Sequence, residues 1–120
     1  MNDHRLRGAA LEAAAERWLN ACGLRSVARN FRCKAGEIDL IMRDDAQLAF
    51  IEVRFRASDR YGSAAESVTA AKQRRLIHAA QLFIETHPQW RHCSCRFDVL
   101  AGGMAAGEIE WQWLRDAFGA

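Results

Sequence analysis

The sequence predicts an α/β domain in the order αβββαβ, closed by a further β segment. Three observations predict it: two stretches with apolar residues at helical spacing, two consecutive runs between them that alternate polar and apolar, and two shorter alternating runs after the second helical stretch.

The first helix is read over residues 6–22, where Leu11, Ala15, Trp18, Leu19 and Cys22 recur at helical intervals from Leu6 and Gly23 stands at the C-cap. A β-rich run follows at residues 26–31. Gly36 then opens Glu37-Ile38-Asp39-Leu40-Ile41-Met42, which alternates like a half-covered strand, and Asp44 and Asp45 supply a turn. Residues 48–56 alternate again, with Ile51, Val53 and Phe55 facing one way and Phe50, Glu52, Arg54 and Arg56 the other, so the two runs form a hairpin. A loop with Arg60, Tyr61 and Gly62 leads to a second helix over about 64–86, where Val68, Leu76, Ala79, Ala80 and Phe83 share a face and Pro88 lies just beyond the end. Residues 96–100 and 109–114 are two more short strands, the last with Trp111 and Trp113 alternating against Glu110 and Gln112.

A chain of 120 residues, half of them apolar and with a single proline, is the size of one domain and can bury a core without disulfides or a structural metal. Glu12, Glu16 and Arg17 interrupt the alanine-rich start where a signal peptide needs an unbroken apolar stretch, and nothing later reaches membrane-spanning length, so a cytoplasmic protein without a membrane partner is expected. Cys22, Cys33, Cys93 and Cys95 form no CxxC pair and have no histidine at zinc-finger spacing, which argues for reduced thiols. The formal net charge is +2, but residues 1–75 hold 14 basic and 10 acidic side chains and residues 76–120 hold 3 and 5. That mild basic bias suits a phosphate backbone and equally suits a plain solvated surface.

The hairpin carries the chemistry. A two-residue turn at Asp45 and Ala46, or a four-residue loop from Asp44 to Gln47, sets Asp39 directly opposite Glu52 and Glu37 opposite Arg54, and a one-residue slip would bury this polar set and expose the aliphatic one. Carboxylates facing each other across a strand pair repel unless something positive lies between them. A salt-bridge cluster built on Arg54 is one solution. A divalent cation is the other: hard ions such as Mg²⁺ or Mn²⁺ take carboxylate oxygens, keep waters and are completed by a substrate phosphate.

Gly36-Glu37-Ile38-Asp39-Leu40-Ile41, a turn, and Phe50-Ile51-Glu52-Val53-Arg54-Phe55-Arg56 resemble the PD-(D/E)xK nuclease motif. More closely the chain resembles the YraN-like family of bacterial proteins, from the first helix to Asn30, through the hairpin to Lys72 and Gln73, and again at Arg96-Phe97-Asp98-Val99 and Ala117-Phe118. The resemblance implies the restriction-endonuclease-like fold, a mixed central sheet flanked by helices, with metal-binding acids at Asp39 and Glu52 and a further acid on the first helix at Glu12. Glu12 lies in line with Gly8, Ala15 and Leu19 and can reach inward, whereas Glu16 is expected to point further toward solvent.

Two positions depart from the family pattern. Leu11 stands where the family usually has glycine, and Arg54 stands where it and the wider nuclease group usually have lysine. A lysine can position water, stabilise charge on the phosphorane and in some proposals act as base; arginine keeps its proton and presents a rigid planar fork, so it can do only the first two. The reading is therefore a metal-dependent nuclease on DNA or RNA, branched or linear, in which Asp39, Glu52 and Glu12 hold Mg²⁺ or Mn²⁺ and Arg54 meets transition-state charge. The alternative is a catalytically weak or inactive nucleic-acid-binding module on the same scaffold. Arg56, Lys72 and Arg75 are the expected phosphate contacts, with Arg74 beside them, and the resemblance allows a homodimer without requiring it. Glu37 shares the polar face and is expected to pair with Arg54 or Lys34. His4, His78, His87 and His92 are scattered singly, Ser58, Ser63 and Ser67 lack a nucleophile context, no Gly-rich phosphate loop occurs, and Trp90, Trp111 and Trp113 read as core; none is assigned chemistry.

Overall fold

The computed structural model describes residues 3–56 and 65–119, without the side chains of residues 3–7 and 65. The expected loop with Arg60, Tyr61 and Gly62, together with Ser58, Ser63, the expected start of the second helix at Ala64, and the side chains of His4 and Leu6, lies outside the described residues. The elements run α1 (Asp3–Ala21), β1 (Arg25–Cys33), β2 (Gly36–Asp44), β3 (Gln47–Phe55), α2 (Ala70–Thr86), β4 (Ser94–Ala105) and β5 (Glu108–Phe118). The five strands form one sheet in sequence order, antiparallel except for β3 and β4, which lie parallel because α2 crosses between them. A mixed sheet with a helix on each face is what the sequence predicts, and it is compatible with a restriction-endonuclease-like fold. Both late strands extend beyond the ranges expected for them, and α2 begins at Ala70 after a 3-10 turn at Ala65–Ser67. No helix among the described residues is long and apolar enough to cross a membrane.

Local chemistry sets the boundaries. Gly23, at φ 103°, closes α1: its N–H donates to Asn20 O at 3.0 Å and that of Leu24 donates to Leu19 O at 3.1 Å, a Schellman cap. Asp45 at φ 57° and Ala46 make the two-residue turn that pairs Asp44 with Gln47. Thr69 caps α2 by accepting the Lys72 N–H at 3.2 Å.

The sheet separates two cores. Ile38, Ile41, Leu48, Phe50 and Val99 pack against Leu76, Ala79 and Phe83 of α2, while Leu40, Met42, Ile51 and Leu100 pack against Ala15 and Leu19 of α1. Full burial of each large side chain contributes about 1.5–3 kcal/mol. Trp111 and Trp113 lean on Trp18 with ring centroids 6.0 and 5.9 Å away, which makes them partly buried core as expected.

One irregularity positions the site. Ile38 and Leu40 are two residues apart yet lie in different cores, so the alternation of β2 breaks at Asp39. Their partners in β1 break with them: Arg29, opposite Leu40, reaches α1, whereas Phe31, opposite Ile38, stacks edge-on against Phe83 of α2. Asn30, between them, is at φ 52°, a left-handed conformation that asparagine tolerates better than most residues.

Gly102 in β4 lies where β5 and α1 approach closely. A Cβ there would meet Trp111 Cζ3 at 2.8 Å, Leu11 Cδ1 at 3.1 Å and Ile109 Cγ2 at 3.2 Å. Leu11, the departure from the family's glycine, thus lies over a strand glycine. Gly102→Ala is expected to destabilise the fold by about 1–3 kcal/mol, read from urea denaturation, and Leu11→Gly in the same chain should relieve part of that overpacking.

Candidate functional site

The β2–β3 ladder keeps the predicted register from Asp44↔Gln47 to Leu40↔Ile51. There it stops, and the Asp39 side chain takes over: Oδ2 accepts the Val53 N–H at 2.8 Å. This bond fixes the Asp39 carboxyl at the mouth of the hairpin, close enough to Glu52 of β3 and Glu12 of α1 for their charges to act on it. The break at Asp39 thus lets acids from both sides of the sheet meet. The structure brings together Glu12, Asp39 and Glu52, the three acids singled out in the sequence.

Two cations close on the same oxygen. Glu52 is only 5 % exposed, and its Oε2 lies 3.1 Å from Arg54 Nε and 3.1 Å from Lys72 Nζ. Arg54 comes from the same strand face two residues on; Lys72 comes from the first turn of α2. The Arg54 contact has ion-pair distance without hydrogen-bond alignment, so among the described residues the buried Nε–H has no hydrogen-bond partner.

Carboxyls crowded out of water resist ionisation. Burial, then the Glu52 charge and Glu12, push Asp39 up from 3.8 to about 8, against the Val53 N–H that favours the carboxylate. Burial and the neighbouring Glu37 charge also raise Glu12. A protonated aspartic acid at neutral pH is one way to relieve this repulsion, and a hard cation is the other. The oxygen donors fit Mg²⁺ or Mn²⁺, which take few protein ligands and fill the rest of their shell with water and phosphate. Among the described residues no group of three or more His, Cys, Asp or Glu side chains is arranged to hold a metal ion, so Glu12 does not complete a three-acid set with Asp39 and Glu52.

Other expected residues lie elsewhere. Glu37 does not oppose Arg54, because the hairpin pairing ends before it; it faces Arg32 of β1 in a 3.5 Å ion pair. Glu16 does not point to solvent: it is buried at 9 % exposure and pairs with Arg29 at 3.2 Å, since β1 curls its arginine over the α1 face. Arg56 is engaged away from the acids, donating to Gln112 Oε1 at 3.2 Å and lying 3.8 Å from Glu110 Oε1. Arg75 is exposed one turn after Lys72 with its Cβ beside Gly36, and Arg74 is exposed next to it.

Asn30 escaped the sequence reading. With its amide nitrogen toward the acids it donates to Glu12 Oε1 at 2.9 Å and Glu37 Oε1 at 3.1 Å, tying α1 to the strand break. A lone asparagine in a β-rich run, a residue type depleted in strands, was the available signal.

Comparison with known proteins finds sequence relatives in one family. Residues 11–101 match the uncharacterised protein family UPF0102. A UPF0102 protein of Xylella fastidiosa is 46% identical over 118 residues, covering 98% of this chain and 96% of that protein. The UPF0102 protein YraN of Salmonella arizonae is 52% identical over 112 residues, 92% of this chain and 82% of its own length, and a UPF0102 protein of Chromohalobacter salexigens is 48% identical over 119 residues, 99% and 95% respectively.

Proposed function

The chain belongs to the UPF0102 family, and from the convergence of Glu12, Asp39 and Glu52 beside two cations we propose that it is a metal-dependent phosphodiesterase acting on DNA or RNA. The observation that carries this reading is the crowding itself: the Asp39 carboxyl is buried beside the charges of Glu52 and Glu12, a repulsion that a divalent cation would relieve. A bound Mg²⁺ or Mn²⁺ supplies charge neutralisation at the phosphate and a water acidic enough to attack near neutral pH.

The chain's own groups divide the remaining work. The Val53 N–H orients Asp39, and Glu12 reaches it from the opposite side of the sheet. Glu52 is held by Arg54 and Lys72. The Arg54 Nε–H, buried and 3.1 Å from Glu52 without hydrogen-bond alignment, is a donor for negative charge growing on the phosphorus oxygens, where preorganised donors contribute most. Exposed Arg74 and Arg75 continue the positive face of α2 for the flanking backbone.

Calorimetric titration of wild type and Asp39→Ala with Mn²⁺, followed by incubation of both with single-stranded and branched DNA, tests the reading. The expected result is metal binding lost in the variant and cleavage reduced about 10²-fold or more. Cleavage retained in both Asp39→Ala and Glu52→Ala would expose a contaminant, and wild type that binds no divalent metal would reduce the acids to a structural cluster.

Arg54 favours a second reading, a binding module without turnover, because a rigid guanidinium stands where a compact ammonium would serve. It predicts salt-sensitive nucleic-acid binding in wild type that persists in Asp39→Ala with no cleavage in either.

A further inference from the structure

We infer that Lys72 is the resident counter-ion of the acid site: its ammonium holds Glu52 while no metal is bound and moves to the scissile phosphate when a divalent cation takes that oxygen. The inference rests on the phosphodiesterase reading and assigns to α2 the mobile positive charge that Arg54 on β3 cannot provide.

The geometry makes Glu52 Oε2 a contested atom. Arg54 Nε and Lys72 Nζ both stand 3.1 Å from it, on a carboxylate with almost no exposure to water. A divalent cation drawn to the same oxygen is repelled by both, so one of them gives way on metal binding. Arg54 is the less able to leave. It sits two residues along the same strand, its Nε is buried, and its planar head has one productive orientation. Lys72 is built to move at its tip only. The Thr69 cap at 3.2 Å and the Gln73 side chain donating to Val68 O at 3.1 Å fix the first turn of α2. The ammonium, by contrast, ends a four-carbon stem with 36% side-chain exposure.

The direction of release follows from the helix. Lys72 and Arg75 are three residues apart and share a face of α2, with Arg75 exposed beside Gly36 at the start of β2. A phosphate entering over the acids meets Arg75 from outside and the freed ammonium from within. An ammonium, with its compact charge and three rotatable donors, can follow a phosphorus oxygen through the change of geometry during displacement; a strand-tethered guanidinium holds one plane.

The test compares wild type, Lys72→Gln and Lys72→Arg. Mn²⁺ affinity is measured by calorimetry at about pH 9, where proton competition for the acids is small. Turnover is measured at saturating Mn²⁺ on the generic phosphodiester bis(p-nitrophenyl) phosphate. Lys72→Gln is expected to bind Mn²⁺ about tenfold tighter and to turn over about 10²-fold more slowly, a split that a merely structural lysine would not give. Lys72→Arg should keep the wild-type affinity within about threefold, and Arg54→Lys added to Lys72→Gln should recover at least about tenfold in rate by restoring an ammonium at Glu52. Metal binding in Lys72→Gln alone would overturn both readings, because the wild-type chain would then hold no metal to displace the ammonium. Wild type and Lys72→Gln binding Mn²⁺ equally would overturn this inference and leave the phosphodiesterase reading standing, as would tighter binding without a fall in rate. Binding in neither would overturn both.

Discussion

Replacing Asp39 by asparagine is expected to stabilise the metal-free protein while removing its affinity for divalent cations. Asp39 titrates at 3.8 when unstrained and at about 8 in the fold, with burial and Glu52 as the leading causes. Between those values the unfolded chain has released its proton and the folded chain keeps it, so folding takes up a proton and stability falls as pH rises. The loss begins near the unfolded value, is complete above about 8, and is absent under more acid conditions where both states are protonated. Glu12, also raised by burial, adds a slope of the same sign. Asparagine keeps an oxygen for the Val53 N–H and carries no charge, so Asp39→Asn should gain about 1–3 kcal/mol above pH 8, or about 4–12 °C in Tm, and lose most of the pH slope. Saturating Mg²⁺ should flatten the slope of wild type and leave the variant unchanged. Thermal melts between pH 5 and 9 decide the matter: wild type gaining stability with pH, with Asp39→Asn destabilised, would mean that the acids form a satisfied ion-pair network and hold no site for a metal.

Where hydrophobic pattern controls structure, the sequence was readable. Alternation in residues 37–42 and 48–56 specified the hairpin register that the ladder shows from Asp44↔Gln47 to Leu40↔Ile51, because any slip turns the aliphatic side chains outward. The helical stripe of α1 likewise placed Ala15 and Leu19 in the core and Glu12 within reach of Asp39. Glu37 was misread for a backbone reason. Polar residues at both 37 and 39 look like unbroken alternation, and the left-handed step at Asn30 that accompanies the break at Asp39 leaves no mark on hydropathy. Glu16 was misread because its burial depends on Arg29 reaching over from the neighbouring edge strand, a contact between elements that a single helix cannot reveal. The placing of Lys72 against Glu52 required the side of the sheet that α2 covers. Periodicity gives the apolar face of a helix but not the strand face it meets.

Asp98→Ala is expected to destabilise the protein by about 3–5 kcal/mol, the cost of breaking a buried ion pair and leaving its donors without an acceptor. Asp98 is fully buried in β4 and organises an irregular stretch where Phe97 pairs with Phe118 but Val99 pairs with Leu114, so that β5 carries extra residues opposite it. Oδ1 accepts the Asp116 N–H at 2.9 Å, at a residue held at φ 52°, and Oδ2 accepts the Trp113 Nε1–H at 3.0 Å. Arg96 Nε donates to both oxygens at 3.0 and 3.1 Å, while its Nη1 reaches Asp44 at 2.9 Å and Gln47 at 3.0 Å across the sheet. One carboxylate therefore joins the β2–β3 turn, β4 and the β5 bulge. Removing it leaves Arg96 Nε and two further donors without an acceptor, while Arg96 Nη1 keeps Asp44 and Gln47. Trp113→Phe deletes a single donor from the same network and should cost only about 1 kcal/mol plus the packing difference. If urea denaturation gives the two variants similar losses, the network is solvated or redundant and the bulge is held by the surrounding apolar contacts instead. A loss several times larger for Asp98→Ala, with the metal titration unchanged in the folded fraction, would separate the acid that builds the scaffold from the acids that crowd the candidate site.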